Sequence, residues 1–151
     1  MNYRARVERL VGGLAGHEID ALLITDLTNV RYLTGYTGSN GAVVATPSGS
    51  VFLTDFRYLE RVAPLREFID VQQANQDLIR FVSSRWADLA PGAARVGFES
   101  VHLSYAAHAL LAEASGDVEL VGVSGAVEAL RIVKDDDEIA AIRRAAAILE
   151  P

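Results

Sequence analysis

The side chains able to do chemistry in this chain are few and scattered. Histidine occurs only as His17, His102 and His108, and none forms a His-x-His or His-x-x-x-His pair that would put two imidazoles on one ion. There is no cysteine, which removes disulfides, thiolate catalysis and cysteine-ligated zinc or iron–sulfur centres. The serines include no Gly-x-Ser-x-Gly elbow. Ser104 lies near His102 and His108, but closeness in sequence is not triad geometry. Ser104 fits better as the cap of a helix beginning at Tyr105. The run Asp135-Asp136-Asp137-Glu138 can attract a cation. Its capping-box spacing and its place in a first helical turn point instead to a solvated helix start. No residue of the chain is therefore expected to be catalytic or to ligate a metal, and no cofactor is expected on it.

Two stretches remain. The glycine loop Gly35-Tyr36-Thr37-Gly38-Ser39-Asn40-Gly41 can cradle an anion through its amides or serve simply as a tight connection. It is not a dinucleotide or phosphate fingerprint, and it runs into a strand, not a helix. Asp55-Phe56-Arg57-Tyr58 follows a strand, and strand ends of open α/β sheets are where ligands dock. Arg57 can grip a carboxylate with two parallel hydrogen bonds, and Tyr58 offers a phenol. The competing account is local: Asp55 caps a helix and Arg57 pairs with Glu60. Arg57 and Tyr58 are expected to project from the end of their strand toward solvent.

The elements that must position these groups follow from hydrophobic period and turn chemistry. Tyr3, Val7, Leu10, Val11 and Leu14 form a helical stripe. Ala21 to Thr25 reads as a strand buried on both faces. Leu27, Val30 and Leu33 read as a short helix with Asp26 as N-cap and Gly35 as stop. Ala42–Thr46 and Val51–Thr54 are paired across a Thr46-Pro47-Ser48-Gly49 turn. Further on, the pattern predicts a short helix from Arg57 to about Val62 and a strand over Phe68–Val71. One helical stripe then runs from Leu78 to Leu89, followed by a strand over Arg95–Glu99 and a helix over Tyr105–Ala114. A strand over Val118–Val121 and a helix over Ala126–Arg131 come next. The last helix begins near Asp136 with an apolar stripe of Ile139, Ile142, Ala146 and Leu149. That stripe needs a surface to pack on and is expected to be less buried than the others. The chain is expected to be cut from a longer protein. The alternation predicts an α/β fold, with a mixed sheet of five or six strands and helices on both faces.

Composition agrees. Of 151 residues, 50% are apolar and 23% charged, enough for a real core. Lys+Arg is 14 against Asp+Glu 20, the opposite of a nucleic-acid binder's balance. No apolar run approaches the roughly 20 residues of a membrane span, and the N-terminus lacks a secretory signal's apolar stretch. A soluble, cytoplasmic protein with no nucleic-acid or membrane partner is the expectation.

Several stretches together resemble a known pattern. They are Asp20-Ala21-Leu22-Leu23-Ile24-Thr25, Asn29-Val30-Arg31-Tyr32-Leu33-Thr34-Gly35-Tyr36-Thr37-Gly38-Ser39 and Leu53-Thr54-Asp55-Phe56-Arg57-Tyr58, then Arg131-Ile132-Val133-Lys134 with Glu138-Ile139 and Ile142-Arg143-Arg144-Ala145. In this order they are similar to the N-terminal domain of the creatinase/Xaa-Pro peptidase ("pita-bread") family. The resemblance implies a creatinase-like domain over residues 1–130. It also implies a linker and first helix, over 131–151, of an absent C-terminal metallopeptidase domain. That absent domain would carry two divalent ions (manganese, cobalt or zinc) and cleave an N-terminal residue from a following proline. The N-terminal domain would be non-catalytic, would support a homodimer and would shape access of peptide substrate to the partner's active site. Tyr36, Arg57 and Tyr58 are the residues implied for that role. The alternative is a self-contained, non-enzymatic binding or interaction domain of the same fold.

Overall fold

The computed structural model describes residues 1–149. Helix α1 (Tyr3–Gly13) opens the chain, followed by β1 (Ala21–Ile24), α2 (Leu27–Thr34), β2 (Gly41–Ala45), β3 (Val51–Thr54) and β4 (Asp70–Gln73). Then come α3 (Leu78–Ser83), α4 (Trp86–Leu89), β5 (Arg95–Glu99), α5 (Tyr105–Ala114), β6 (Glu119–Val123), α6 (Ala126–Ile132) and α7 (Asp136–Leu149). The strands make one six-stranded sheet in the order β4-β3-β2-β1-β5-β6. β2 is antiparallel to both its neighbours, β1 and β3, and the other pairings are parallel. Five strands therefore end at one edge of the sheet, and β2 begins there.

The pleat splits the core. Leu22, Ile24, Val43, Ala45 and Phe52 point to one face and pack with Val7, Leu10, Val30, Leu33 and Val127 of α1, α2 and α6. Ala21, Leu23, Val44 and Leu53 point to the other and pack with Leu78, Val82, Trp86, Leu89 and Leu111 of α3, α4 and α5. All four residues of β1 are buried, as expected of a central strand covered on both faces. Local chemistry sets the boundaries. Asp26 accepts from the Thr28 amide at 2.8 Å, and Gly35 ends α2 at φ 76°. The Gly49 amide bonds the Thr46 carbonyl at 3.2 Å in the β2–β3 turn. Ser104 caps α5 by accepting from the Ala107 amide at 3.2 Å.

Four expected elements differ. The helix placed from Arg57 to Val62 is replaced by a 3-10 turn at Phe56–Tyr58 and another at Ala63–Glu67, the second with Pro64 in its first turn. The strand placed at Phe68–Val71 lies at Asp70–Gln73, because Phe68 and Ile69 still donate to the Leu65 carbonyl. The single stripe from Leu78 to Leu89 is two helices. There the hydroxyls of Ser83 and Ser84 bond back to the carbonyls of Arg80 and Phe81, both at 2.9 Å, and compete with the helical ladder. The strand placed at Val118–Val121 is Glu119–Val123, in parallel register with β5.

The apolar stripe of α7 is poorly covered. Ile139 is 37% exposed and Ile142 56% exposed, and Ala146 is also exposed. The Leu149 side chain, part of the same stripe, lies outside the described ones.

Candidate functional site

At the edge where β3 ends and β2 begins, the glycine loop meets the Asp55–Tyr58 turn. Tyr36 sits between them, 5% exposed, its ring edge-on to Phe52 at 5.0 Å and to Tyr58 at 5.6 Å. Its hydroxyl donates to the Asn40 carbonyl at 2.8 Å, an acceptor it shares with the Thr54 hydroxyl at 2.6 Å. Burial pushes the Tyr36 phenol above its ordinary pKa, against the opposing pull of its bonds with Thr54 and Asn40. A Cβ at Gly38 would lie 2.1 Å from the Tyr36 hydroxyl, and one at Gly41 would lie 2.7 Å from the ring. The loop's glycines thus make room for a phenol ring.

Asp55 anchors the turn. Its carboxylate is fully buried and accepts Nε of Arg57 at Oδ1 and Nη2 at Oδ2, both at 2.8 Å. It also accepts the Arg57 amide at 3.0 Å and the Asn40 side-chain amide at 2.6 Å. Hydrogen bonding from Arg57, then from Asn40, outweighs burial and holds the Asp55 carboxyl well below the usual range. The same pairing raises Arg57. The Arg57 side chain is 46% exposed, and its Nη1 makes no hydrogen bond among the described residues. Arg57 lies 5.4 Å from the Tyr58 ring centroid, and the Tyr58 hydroxyl meets Ser39 Oγ at 2.7 Å. That bond lowers the Tyr58 phenol. Phe56, 63% exposed, stands beside them.

The three residues singled out from sequence are thus brought together, in different roles. Tyr36 is a buried strut. Tyr58 is half-buried, and Arg57 presents the guanidinium edge that Asp55 leaves open. The pairing of Arg57 with Glu60 is replaced by pairing with Asp55, because the backbone turns after Asp55 instead of continuing as an α-helix. Asn40, legible in the sequence only as a member of the glycine loop, ties that loop to the turn from 15 residues away. Sequence reasoning did not single out Phe56, visible only as an aromatic at a strand end. Chemically, the open guanidinium edge of the cluster suits recognition of an anion or carbonyl. Among the described residues, no three acids or histidines lie close enough together to hold a metal ion.

A second network lies farther along the same edge. Glu99 accepts from the amides of Thr25 and Asp26 and from the Asn29 side chain, each at 2.7 Å. Asn29 also donates to Glu128 at 2.6 Å and accepts from Arg131 at 2.9 Å. The Tyr32 hydroxyl donates to the Leu130 carbonyl at 3.0 Å. The Asn-x-Arg-Tyr segment is therefore a structural joint between α2, β5 and α6.

The family description "Creatinase/Prolidase N-terminal domain" matches residues 6–133. The chain is 36% identical over 132 residues to an uncharacterized peptidase, YqhT, of Bacillus subtilis, covering 87% of this chain and 37% of that protein. Among solved structures, an Xaa-Pro dipeptidase from Bacillus anthracis superposes with a TM-score of 0.83 at 32% identity, over 92% of this chain and 38% of that one. The N-terminal domain of the cytoplasmic peptidase PepQ from Mycobacterium tuberculosis superposes with a TM-score of 0.75 at 35% identity, over 83% of this chain and 98% of that one. The chain spans less than half the length of the curated relatives it matches, 37% and 42%. Among the described residues no helix is long and apolar enough to cross a membrane.

Proposed function

The chain belongs to the creatinase/prolidase N-terminal domain family, and on that premise we propose that it is the non-catalytic N-terminal domain of an Xaa-Pro aminopeptidase or dipeptidase. Residues 1–130 form the domain, and 131–151 are the linker and first helix of a C-terminal catalytic domain. That second domain holds the two divalent ions, manganese, cobalt or zinc. The protein acts in the cytoplasm as a homodimer, and the edge bearing Tyr36, Arg57 and Tyr58 shapes peptide access to the partner's active site.

The observation that carries this reading is the half-exposed Arg57. Asp55 fixes one edge of its guanidinium, so the other edge is held ready for a peptide carboxylate or carbonyl without first being ordered. The Tyr58 ring, its centroid 5.4 Å from the guanidinium carbon, gives that group an aromatic flank.

The test is Arg57→Ala in the parent polypeptide, assayed with an Xaa-Pro dipeptide. A raised KM or lowered kcat is expected. The 151-residue chain alone, given manganese, cobalt or zinc, is expected to show no turnover. Metal-dependent turnover copurifying with the chain would overturn the non-catalytic reading. Unchanged kinetics alongside a large fall in Tm would assign Arg57 to the fold and leave a binding module as the better account.

A further inference from the structure

Arg6 lies on the buried face of α1, its side chain 3% exposed. A charge at that depth requires partners, and Arg6 draws them from distant parts of the chain. Nη1 donates to the Tyr32 carbonyl at 2.8 Å, and Nη2 donates to Asp135 Oδ2 at 2.5 Å and lies 3.3 Å from Glu138 Oε2. Among the described residues Nε finds no acceptor. The Tyr32 ring face, 4.2 Å from the guanidinium carbon, covers the group instead. Burial opposes the charge, but hydrogen bonding to Asp135 and the charges of Glu138 and Asp135 raise Arg6 above its ordinary pKa.

The two acids are the two halves of the α7 capping box. The Glu138 amide donates to Asp135 at 2.8 Å, and the Asp135 amide donates to Glu138 at 3.0 Å. One buried guanidinium therefore holds the carboxylates that start α7. From Ile142 to Ile148 every residue of α7 is exposed. Among the described residues α7 makes one other ion pair, between the Met1 amino group and Asp137, which is solvent-exposed and open to screening by salt.

We propose that Arg6 is a positioning residue, a buried latch that sets the direction in which α7 leaves the α/β body. The latch grips the helix at its first turn, and the rest of α7 follows as a rigid lever. On the reading proposed above, it would set the angle between this domain and the catalytic domain. The latch itself needs only the chain described.

The absence of cysteine makes the test direct. Spin labels at Ala109→Cys on α5 and Ala147→Cys on α7, both exposed positions, report the distance between body and lever. The native chain is expected to give a narrow distance distribution. Arg6→Met should broaden it severalfold with the sheet's circular dichroism intact. Should Arg6→Met fail to fold, Asp135→Asn with Glu138→Gln serves instead. Asn and Gln still cap a helix, so helicity should stay while the distribution broadens. Asp137→Asn should leave it narrow. A distribution that stays narrow in Asp135→Asn/Glu138→Gln, or broadens as much in Asp137→Asn, would overturn the latch. Neither result depends on any peptidase assay.

Discussion

Asp55 and Arg57 stand two residues apart and meet edge to edge, Nε on Oδ1 and Nη2 on Oδ2, each at 2.8 Å. The pair is asymmetric: the carboxylate is buried and the guanidinium is half in solvent. Asp55 is therefore the member that cannot be left alone, and Arg57 is the one that can face a ligand.

That asymmetry predicts unequal mutants. Arg57→Ala strands a buried charge, whereas Asp55→Asn keeps an acceptor for the backbone amide and frees a guanidinium that water can solvate. Arg57→Ala should lower Tm more than Asp55→Asn. Thermal melts of both variants at neutral pH check this, and the reverse order would mean that water reaches Asp55.

Acid should weaken the fold in a defined window. Asp55 is held low by Arg57, Asp135 by Arg6, and Asp20 by the amides of Arg95 and Ala94. A carboxyl whose folded pKa is depressed contributes stability above its unfolded value, about 3.9. That contribution is lost as pH falls through the folded value. Urea midpoints should be flat above about pH 5 and fall steeply below about pH 4. Asp55→Asn and Asp135→Asn should each flatten that fall.

The ring of Tyr36 should reject side chains at the glycines around it. Gly41→Ala puts a methyl 2.7 Å from the ring and should cost about 1–3 kcal/mol. Tyr36→Phe removes the hydroxyl's bond to Asn40 and its longer contact with Thr54, and should cost about 0.5–1.5 kcal/mol. Chemical denaturation measures both. If Tyr36→Phe proved the costlier, the hydroxyl and not the ring would be the strut.

Asn29→Ala should be among the more harmful single changes outside the apolar core. Asn29 is itself fully buried, and its loss leaves the part-buried Glu99 and Arg131 and the exposed Glu128 each short of one partner. A loss of about 1–3 kcal/mol is expected. Hydrogen exchange should rise in α6 before it rises in β1 or β5, because α6 is the element the joint holds.

The sequence by itself determined whatever is decided within a few residues. The Asp26 cap, the Gly35 stop, the Thr46–Gly49 turn, the Ser104 cap and the Asp135–Glu138 box all depend on neighbours one to four positions away. They were legible as residue types at fixed spacing, and β1, β2 and β3 were legible as short apolar, β-rich runs. Where two local preferences compete, the sequence was ambiguous, as at Ser83 and Ser84, whose hydroxyls break a stripe that otherwise reads as one helix.

Only the tertiary structure decided which groups share an edge. Asn40 reaches Asp55 because β2 runs opposite to β3, so that its start lies beside β3's end. Arg6 reads in sequence as one more basic residue near the N-terminus. It is buried where α1 packs on α2, under the Tyr32 ring, and it meets Asp135 from 129 residues along the chain. Asn29 meets Arg131 across 102 residues for the same kind of reason. A buried charge is tolerable only where its partners are already fixed, and strand order, not spacing along the chain, fixes them.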